Sequence, residues 1–260
     1  MHECIHLSIT FVCCILQAIH LSEVVRSSQR IMAGARQFAV SKVQATSSHA
    51  AKGPPLKTFI FPTPPPPSGD ASPEDALIAA YAEHTKQAVN AVRKQFPGLS
   101  LDGRLAIVVP DNDFLEKHRK AFEDILNEQQ SPGSVQLVSA VESCATIPGI
   151  GGHDNDKKER LTYAAIRDMD GLECLIVLGV GFDRAASSLS SDDDETHKEV
   201  RSRLYRAITR AQMMFLIVNE GIQGGWLEFM GHIKVSPVVC LVSNKNGFSI
   251  TFLLTRVSLR

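Results

Sequence analysis

The chain has 260 residues, of which 44% are hydrophobic and 21% charged, and its formal net charge is −1. This composition is typical of a globular protein with a sizeable core, and it provides no overall basic field, so any nucleic-acid contact must be local. The six cysteines form no CxxC pair and no Cys/His spacing suited to zinc, which excludes an evident metal centre or disulfide framework.

The first 71 residues are predicted to lie outside the folded domain. An apolar run at 8–21 is shorter than the roughly 20 residues of a stable membrane span. No Lys or Arg precedes this run, so residues 1–22 are only a weak candidate for a secretory signal, and the nucleus or cytoplasm is favoured. Residues 27–71, which end in FPTPPPPSGD, are predicted to form a disordered, polyproline-like linker.

Beyond residue 71 the sequence predicts alternating helices and strands. Ser72-Pro73-Glu74-Asp75 combines an N-cap, a proline at the first helical position and acids in the first turn. Apolar residues then recur at spacings of three and four up to Pro97-Gly98, which predicts an amphipathic helix. The later predicted elements are a buried strand at 104–110, a helix at 111–127, strands at 135–139, 161–165 and 174–180, a helix at 197–212, a strand at 213–219 and a short helix at 226–233. A glycine-rich loop around 148–157 and an acidic surface loop at 183–196 separate some of them.

This alternation predicts an α/β domain over residues 72–234, with a parallel sheet covered by helices on both faces. Residues 235–260 are predicted to be a separate C-terminal tail. In that tail, two apolar runs flank Asn244-Lys245-Asn246-Gly247, and Asn-Gly between apolar runs predicts a β-hairpin. The tail is either a hairpin added to the domain or a sequence foreign to it.

The first segment with side chains suited to nucleotide chemistry is DGLE at 170–173, directly before the strand CLIVLGV. Gly171 can adopt a backbone angle that other residues avoid. The carboxylate of Glu173 can accept hydrogen bonds from ribose hydroxyls at the start of that strand. Taken alone, the segment also fits a simple turn with a charge at a strand end.

The second segment is a run of arginines before the strand MMFLIVN. Arg203, Arg206 and Arg210 recur at spacings of three and four, which places them on one side of a helix. The planar fork of arginine suits phosphate because it donates two hydrogen bonds at once. Taken alone, this segment also fits a solvated basic helix face bonded to the acidic loop before it.

In this order, the two segments resemble motifs V and VI of superfamily 1 (UvrD/Rep-like) helicases. The family's motif V reads approximately KGLE before an apolar strand, and its motif VI reads approximately LYVALTRA before another. The matching stretches are DGLE at 170–173 and LYRAITRA at 204–211. The strand RLAIVVP and the helix after it resemble the motif IV region, so the resemblance runs from about residue 101 to about residue 232.

The resemblance implies a C-terminal RecA-like domain, of P-loop NTPase type, that meets ATP from one side. Arg210 matches the motif VI arginine that reaches the γ-phosphate of ATP from across a domain cleft. Glu173 matches the motif V glutamate near the ribose, Gly171 matches the glycine of the same motif, and Arg206 is a further candidate for nucleotide contact. ATP with Mg²⁺ would then be held mainly by a first RecA-like helicase domain, in another chain or lost from the gene model.

The chain also departs from the family's pattern. Asp170 stands where motif V usually has a lysine, and Ala165 and Arg167 stand where a threonine and a histidine are frequent. In the family these positions lie close to the nucleic-acid path. Binding of single-stranded DNA or RNA is therefore a weaker expectation than contact with a nucleotide.

The sequence lacks the motifs that hold phosphate and magnesium. It contains no GxxxxGK[ST] phosphate loop and no DExx acidic pair after an apolar strand. The glycine-rich run from Gly149 to His153 lacks the Lys-Thr of such a loop, and we interpret it as a flexible loop. We therefore expect a domain without its own phosphate loop or metal site, which does not hydrolyse ATP alone.

Three functional hypotheses follow. The leading hypothesis is the C-terminal motor half of a superfamily 1 DNA or RNA helicase, which contributes an arginine finger and a ribose contact to ATP bound by a partner domain. The second is a non-catalytic module for nucleic-acid or protein interaction. The third is a fragment of a larger helicase-domain protein.

Overall fold

The computed structural model describes residues 23–24, 26–40, 46–47, 49–65, 72–128, 135–145, 158–183, 194–223, 225–227, 236–243 and 249–256. The strands within these ranges are β1 (Glu23–Val24), β2 (Thr46–Ser47), β3 (Lys57–Phe61), β4 (Leu105–Val109), β5 (Val135–Val138), β6 (Glu159–Ala165), β7 (Cys174–Val180), β8 (Ala211–Glu220), β9 (Ser236–Ser243) and β10 (Ser249–Arg256). The helices are α1 (Gln29–Arg36), α2 (Pro73–Gln95), α3 (Asn112–Asn127), α4 (Ala140–Ala145) and α5 (Asp194–Thr209), with a short 3₁₀ helix at Ile166–Met169.

The main sheet has six strands, all parallel, in the order β3-β8-β7-β4-β6-β5. Its central strand β4 (LAIVV) is buried at every position, as expected for a parallel strand covered on both faces. Helices α2 and α3 pack on one face, and α1, α4, α5 and the 3₁₀ helix pack on the other. The predicted α/β class, with a parallel sheet covered by helices on both faces, is confirmed.

Local sequence fixes where the helices on the first face begin. The side chain of Ser72 accepts a hydrogen bond from the Asp75 amide and the Asp75 carboxylate accepts one from the Ser72 amide, so the predicted start of α2 is confirmed as a capping box. The Asp111 carboxylate accepts a hydrogen bond from the Phe114 amide at 2.9 Å and caps α3. Both helices therefore start immediately before the apolar residues that they bury on the sheet.

The folded part of the chain begins earlier than the predicted boundary at residue 72. Strand β3 pairs with β8 along its whole length and forms one edge of the sheet. Helix α1 buries Ile31, Met32 and Ala35 against α5 and β8. The prediction of a disordered linker is wrong for these two segments, because their apolar side chains have partners far away in the sequence. Residues 1–22 and 66–71 lie outside the described residues.

The C-terminal strands form a separate small sheet. Strand β9 pairs antiparallel with β10 from Ser236↔Arg256 to Ser243↔Ser249, and the Asn-Gly connection at 244–248 lies outside the described residues. The predicted helix at 226–233 is described only as a turn at 226–227, and the predicted loop at 148–157 falls outside the described ranges. Of the acidic loop predicted at 183–196, residues 184–193 also fall outside them, and the prediction is wrong at 194–196, which form the start of α5. Within the described residues, no helix is long and apolar enough to span a membrane.

Candidate functional site

The two motif-bearing segments meet at one edge of the sheet. The turn at 170–173 leads into β7, Arg210 leads into β8, and β7 and β8 are neighbours. The Cys174 amide donates a hydrogen bond to the Arg210 carbonyl at 3.0 Å, which fixes the two amino ends side by side. The structure thus brings Gly171, Glu173, Arg206 and Arg210, which are up to 39 positions apart, to one place on the molecule.

Gly171 provides the backbone conformation that the turn requires. Its φ is +81°, in the left-handed region that glycine adopts without steric cost. A Cβ at this position would meet no heavy atom within 4 Å, so the requirement lies in the backbone angle and not in the space around it. The Leu172 amide donates to the Met169 carbonyl at 3.1 Å and closes the turn.

Glu173 lies at the start of β7 with its side chain 22% exposed. One of its carboxylate oxygens forms an ion pair with Arg26, and the other accepts a hydrogen bond from Nε2 of Gln212 at 3.3 Å. Both partners stand at the amino end of β8 or in the segment beside it. The carboxylate can accept hydrogen bonds from a ligand only in competition with these two donors.

Arg206 pairs with Asp170, the residue that stands in place of the family's lysine. Nη2 of Arg206 lies 2.6 Å from Oδ2 of Asp170, and this hydrogen bond lowers the pKa of the Asp170 carboxyl. Arg203, one turn earlier on α5, pairs instead with Glu199 at 2.5 Å and approaches Asp111 at 3.9 Å. Arg203 and Arg206 lie on α5 and Arg210 directly follows it; of these three, Arg206 and Arg210 reach the turn at 170–173.

Arg210 lies outside the helix in which the sequence analysis placed it. Helix α5 ends at Thr209, so Arg210 lies in the turn before β8 and not within the predicted helix at 197–212. Its side chain is half-buried and folds over the 169–172 turn, with Nη1 3.5 Å from the carbonyls of Met169 and Leu172. In this conformation the guanidinium lies over the chain's own turn and does not point across a cleft, because the turn's carbonyls attract the cation.

The guanidinium of Arg210 is weakly held where it lies. Burial lowers the pKa of Arg210, and the like charge of Arg26 lowers it further, whereas Asp170 and Glu173 act in the opposite direction. Within the described residues, the buried Nε of Arg210 has no hydrogen-bond partner. Two contacts of 3.5 Å replace little of the hydration that the cation has lost. An anion beside this turn would provide stronger hydrogen bonds than the protein does.

The carboxyl ends of the parallel strands, called here the carboxyl edge of the sheet, hold a buried acid that the sequence analysis missed. Asp183, predicted as the start of an acidic surface loop, is fully buried after β7 and accepts hydrogen bonds from the amides of Trp226, at 3.1 Å, and Leu227, at 2.6 Å. Its own amide donates to Oδ1 of Asn219 at 3.1 Å. Burial raises the pKa of Asp183 to about 6. Its position three residues after the end of the apolar strand β7 was the sequence indication of burial.

The polar groups at the amino ends of β7 and β8 fit one side of a nucleotide. A guanidinium suits a phosphate, and a carboxylate suits a ribose hydroxyl. No group of three or more His, Cys, Asp or Glu residues that could hold a metal ion occurs in the described part of the chain. The sequence also has no phosphate loop. The arrangement can contact a nucleotide, but it does not supply the phosphate cradle.

No protein-family model and no curated protein matches the chain. Among solved structures, the chain is similar to the C-terminal domain of a possible DNA helicase from Lactobacillus plantarum WCFS1, with 15% sequence identity and a TM-score of 0.44. This similarity covers 76% of this chain and 88% of that chain. A likeness at this level concerns the path of the chain and assigns no activity.

Proposed function

We propose that this chain provides the C-terminal motor half of a superfamily 1 (UvrD/Rep-like) helicase and contacts ATP from the side opposite the phosphate cradle. In this function Arg210 reaches the terminal phosphate, Glu173 accepts a hydrogen bond from the ribose, and Gly171 shapes the turn between them. A first RecA-like domain would hold ATP, which carries the phosphoryl group, together with Mg²⁺, which would neutralise the charge on that group.

The observation that carries the proposal is the adjacency of the two motif-bearing segments. Parallel pairing of β7 with β8 places the Glu173 turn beside the Arg210 turn, linked by the hydrogen bond from the Cys174 amide to the Arg210 carbonyl at 3.0 Å. Two segments that resemble consecutive motifs of one nucleotide site would be expected to meet in this way. A solvated basic helix face would not require the arginine nearest the turn to be half-buried.

The proposal requires Arg210 to leave its present carbonyl contacts. That movement breaks two hydrogen bonds of 3.5 Å and frees a buried Nε that has no partner in the described part of the chain. A phosphate would accept two short, charge-assisted hydrogen bonds in exchange. Arg206 is less available, because its 2.6 Å bond to Asp170 would have to break first, so we assign it a positioning role at the turn.

The proposal is tested by titrating the protein, with isotope-labelled arginine, against MgATP, tripolyphosphate and adenosine. We expect the Nε–H resonance of Arg210, identified by its loss in Arg210→Ala, to shift with both phosphate ligands and not with adenosine. Arg210→Ala should weaken MgATP binding roughly tenfold or more, since a charge-assisted hydrogen bond contributes about 1.5–3 kcal/mol.

The matched control is Arg119→Ala, which removes another half-buried arginine that donates to a backbone carbonyl, that of Leu137 at 2.8 Å. Arg119 lies on α3, on the opposite face of the sheet from α5. We expect this variant to bind MgATP as the unmodified protein does. Equal affinities for Arg210→Ala and the unmodified protein would contradict the proposed function.

A further inference from the structure

We propose that Arg26 is an internal latch that holds the N-terminal segment over the Glu173 turn, so that the candidate nucleotide site is closed by its own chain. The inference rests on the proposed function, whose ribose contact is the carboxylate that Arg26 occupies. It adds a regulatory element from a part of the chain that carries none of the helicase-like motifs.

The latch consists of residues 26–28, which lie along the amino end of β8. Arg26 forms the ion pair with Glu173. Two residues later, the Ser28 amide donates to the Gln212 carbonyl at 2.9 Å, and the Ser28 hydroxyl donates to the Met213 carbonyl at 3.4 Å. Gln212 also donates to Glu173. Residues 26–28 are therefore held by the Glu173 carboxylate and by the amino end of β8.

The segment behind the latch is firmly anchored. Helix α1 buries Ile31, Met32 and Ala35, and Arg201 of α5 donates to the Ala39 carbonyl at 2.6 Å. Gly53 has a φ of +73° and passes so close to Ser28 that a Cβ on Gly53 would lie 2.3 Å from the Ser28 hydroxyl. The anchor keeps residues 26–28 near the site. Ser27 and Ser28 are themselves buried, so the Arg26 side chain is the part of the latch that can open.

The Arg26–Glu173 pair is weak enough to open. The Arg26 side chain is 47% exposed and that of Glu173 is 22% exposed, and pairs of this kind add little stability. A ribose hydroxyl that competes for Glu173 must first displace Arg26. Removing the pair should therefore strengthen nucleotide binding by a modest factor, roughly two- to fivefold.

The test compares Arg26→Gln with Arg30→Gln in the full chain. Arg30 is the matched control, because it is also exposed, lies four residues later and carries the same charge, but it donates to the Gly53 carbonyl at 3.0 Å instead of to Glu173. The first measurement is amide hydrogen exchange in peptides that cover 26–30 and 170–174, without any nucleotide. We expect faster exchange in both peptides for Arg26→Gln and no change at 170–174 for Arg30→Gln.

The second measurement is the affinity for MgATP in the same two variants. The inference predicts tighter binding by Arg26→Gln than by Arg30→Gln. Weaker binding by Arg26→Gln would overturn it, since Arg26 would then be a phosphate ligand. Equal exchange at 170–174 in the two variants would also overturn it. Failure of the proposed function is a separate result, namely MgATP binding that does not depend on Arg210.

Discussion

The carboxyl edge of the sheet and the amino ends of β7 and β8 use their polar side chains in different ways. At the carboxyl edge, Asp111 and Asp183 accept hydrogen bonds from backbone amides, and Asn219 accepts one from the Asp183 amide. At the amino ends of β7 and β8, Glu173 and Arg210 are held by an exposed ion pair, one side-chain amide and two distant carbonyls.

This difference indicates which edge is structural and which can exchange partners. Ligands of open α/β sheets usually bind outside the carboxyl ends of the strands. Here the polar groups of that edge are bonded to the chain's own backbone, and breaking those bonds would leave buried amides without partners. At the amino ends of β7 and β8, a ligand would replace weak contacts with stronger ones. The predictions below test this contrast.

The largest effect is expected at the carboxyl edge, for Gly181→Ala. Gly181 has a φ of +76°, and a Cβ there would lie 2.4 Å from the ring of Phe114. Backbone strain and the displaced ring together should lower the free energy of unfolding by about 3 kcal/mol. Chemical denaturation of the purified protein measures this loss.

The control is Gly171→Ala at the candidate site, where φ is +81° but no heavy atom lies within 4 Å of the position that the new methyl group would take. Only the backbone term remains, so the loss should be about 1 kcal/mol. Equal losses at the two glycines would contradict the view that the carboxyl edge is the tightly packed one.

The buried acid gives the next effect, which depends on pH. Because burial raises the pKa of Asp183 to about 6, the folded protein retains a proton that the unfolded chain has released between about pH 4 and pH 6. The stability contributed by this group therefore falls as pH rises through that window. The unfolding free energy of the unmodified protein relative to Asp183→Asn should decrease by about 1 kcal/mol from about pH 5 to about pH 7.5.

Asp102→Asn serves as the control for this measurement. Hydrogen bonds from Arg160 lower the pKa of Asp102, so its contribution to stability is lost only as pH falls below the ordinary aspartate range. Between about pH 5 and about pH 7.5 its difference from the unmodified protein should stay constant. A constant difference for Asp183→Asn as well would show that its burial has no energetic consequence.

The smallest effect on stability is expected at the candidate site, for Asp170→Asn. The Asp170 side chain is 64% exposed and that of its partner Arg206 is 35% exposed, so the pair should contribute less than about 1 kcal/mol. Chemical denaturation of Asp170→Asn and the unmodified protein, at low and at high salt, measures the contribution of the pair to the free energy of unfolding. A loss comparable to that of Gly181→Ala would make the Asp170–Arg206 pair a structural element and would weaken the contrast between the two edges.

The strands and helix starts were predictable because their causes are local. The run CLIVLGV at 174–180 coincides with β7, and the capping residues Ser72 and Asp75 define the start of α2. Strand β3 was missed because KTFIF is short and is followed by prolines, and its partner β8 begins more than 150 positions later. Helix α1 was missed because its sequence, QRIMAGAR, is short and has two large apolar residues, Ile31 and Met32, whose partners on α5 and β8 are remote in sequence.

The order of the motifs predicted that Gly171, Glu173 and Arg210 lie close together, and the structure places them at neighbouring strand ends. Their contacts were not predictable from the sequence. The pairing of Glu173 with Arg26 joins residues that are remote in sequence, and no local pattern indicates it. The position of Arg210 depended on where α5 ends, and helix ends are set by tertiary contacts as much as by propensity. The burial of Asp183 likewise depended on the amides of Trp226 and Leu227.

The most direct test of the central claim is the ratio of the affinities for MgATP and tripolyphosphate, measured in Glu173→Ala and Arg210→Ala. Both ligands carry the triphosphate chain and MgATP alone carries the ribose, so this ratio isolates the contact between the ribose and Glu173. The account predicts that Arg210→Ala weakens both ligands by the same factor, while Glu173→Ala lowers the preference for MgATP. If Glu173→Ala keeps the full preference and Arg210→Ala binds both ligands normally, the amino ends of β7 and β8 are not a nucleotide site.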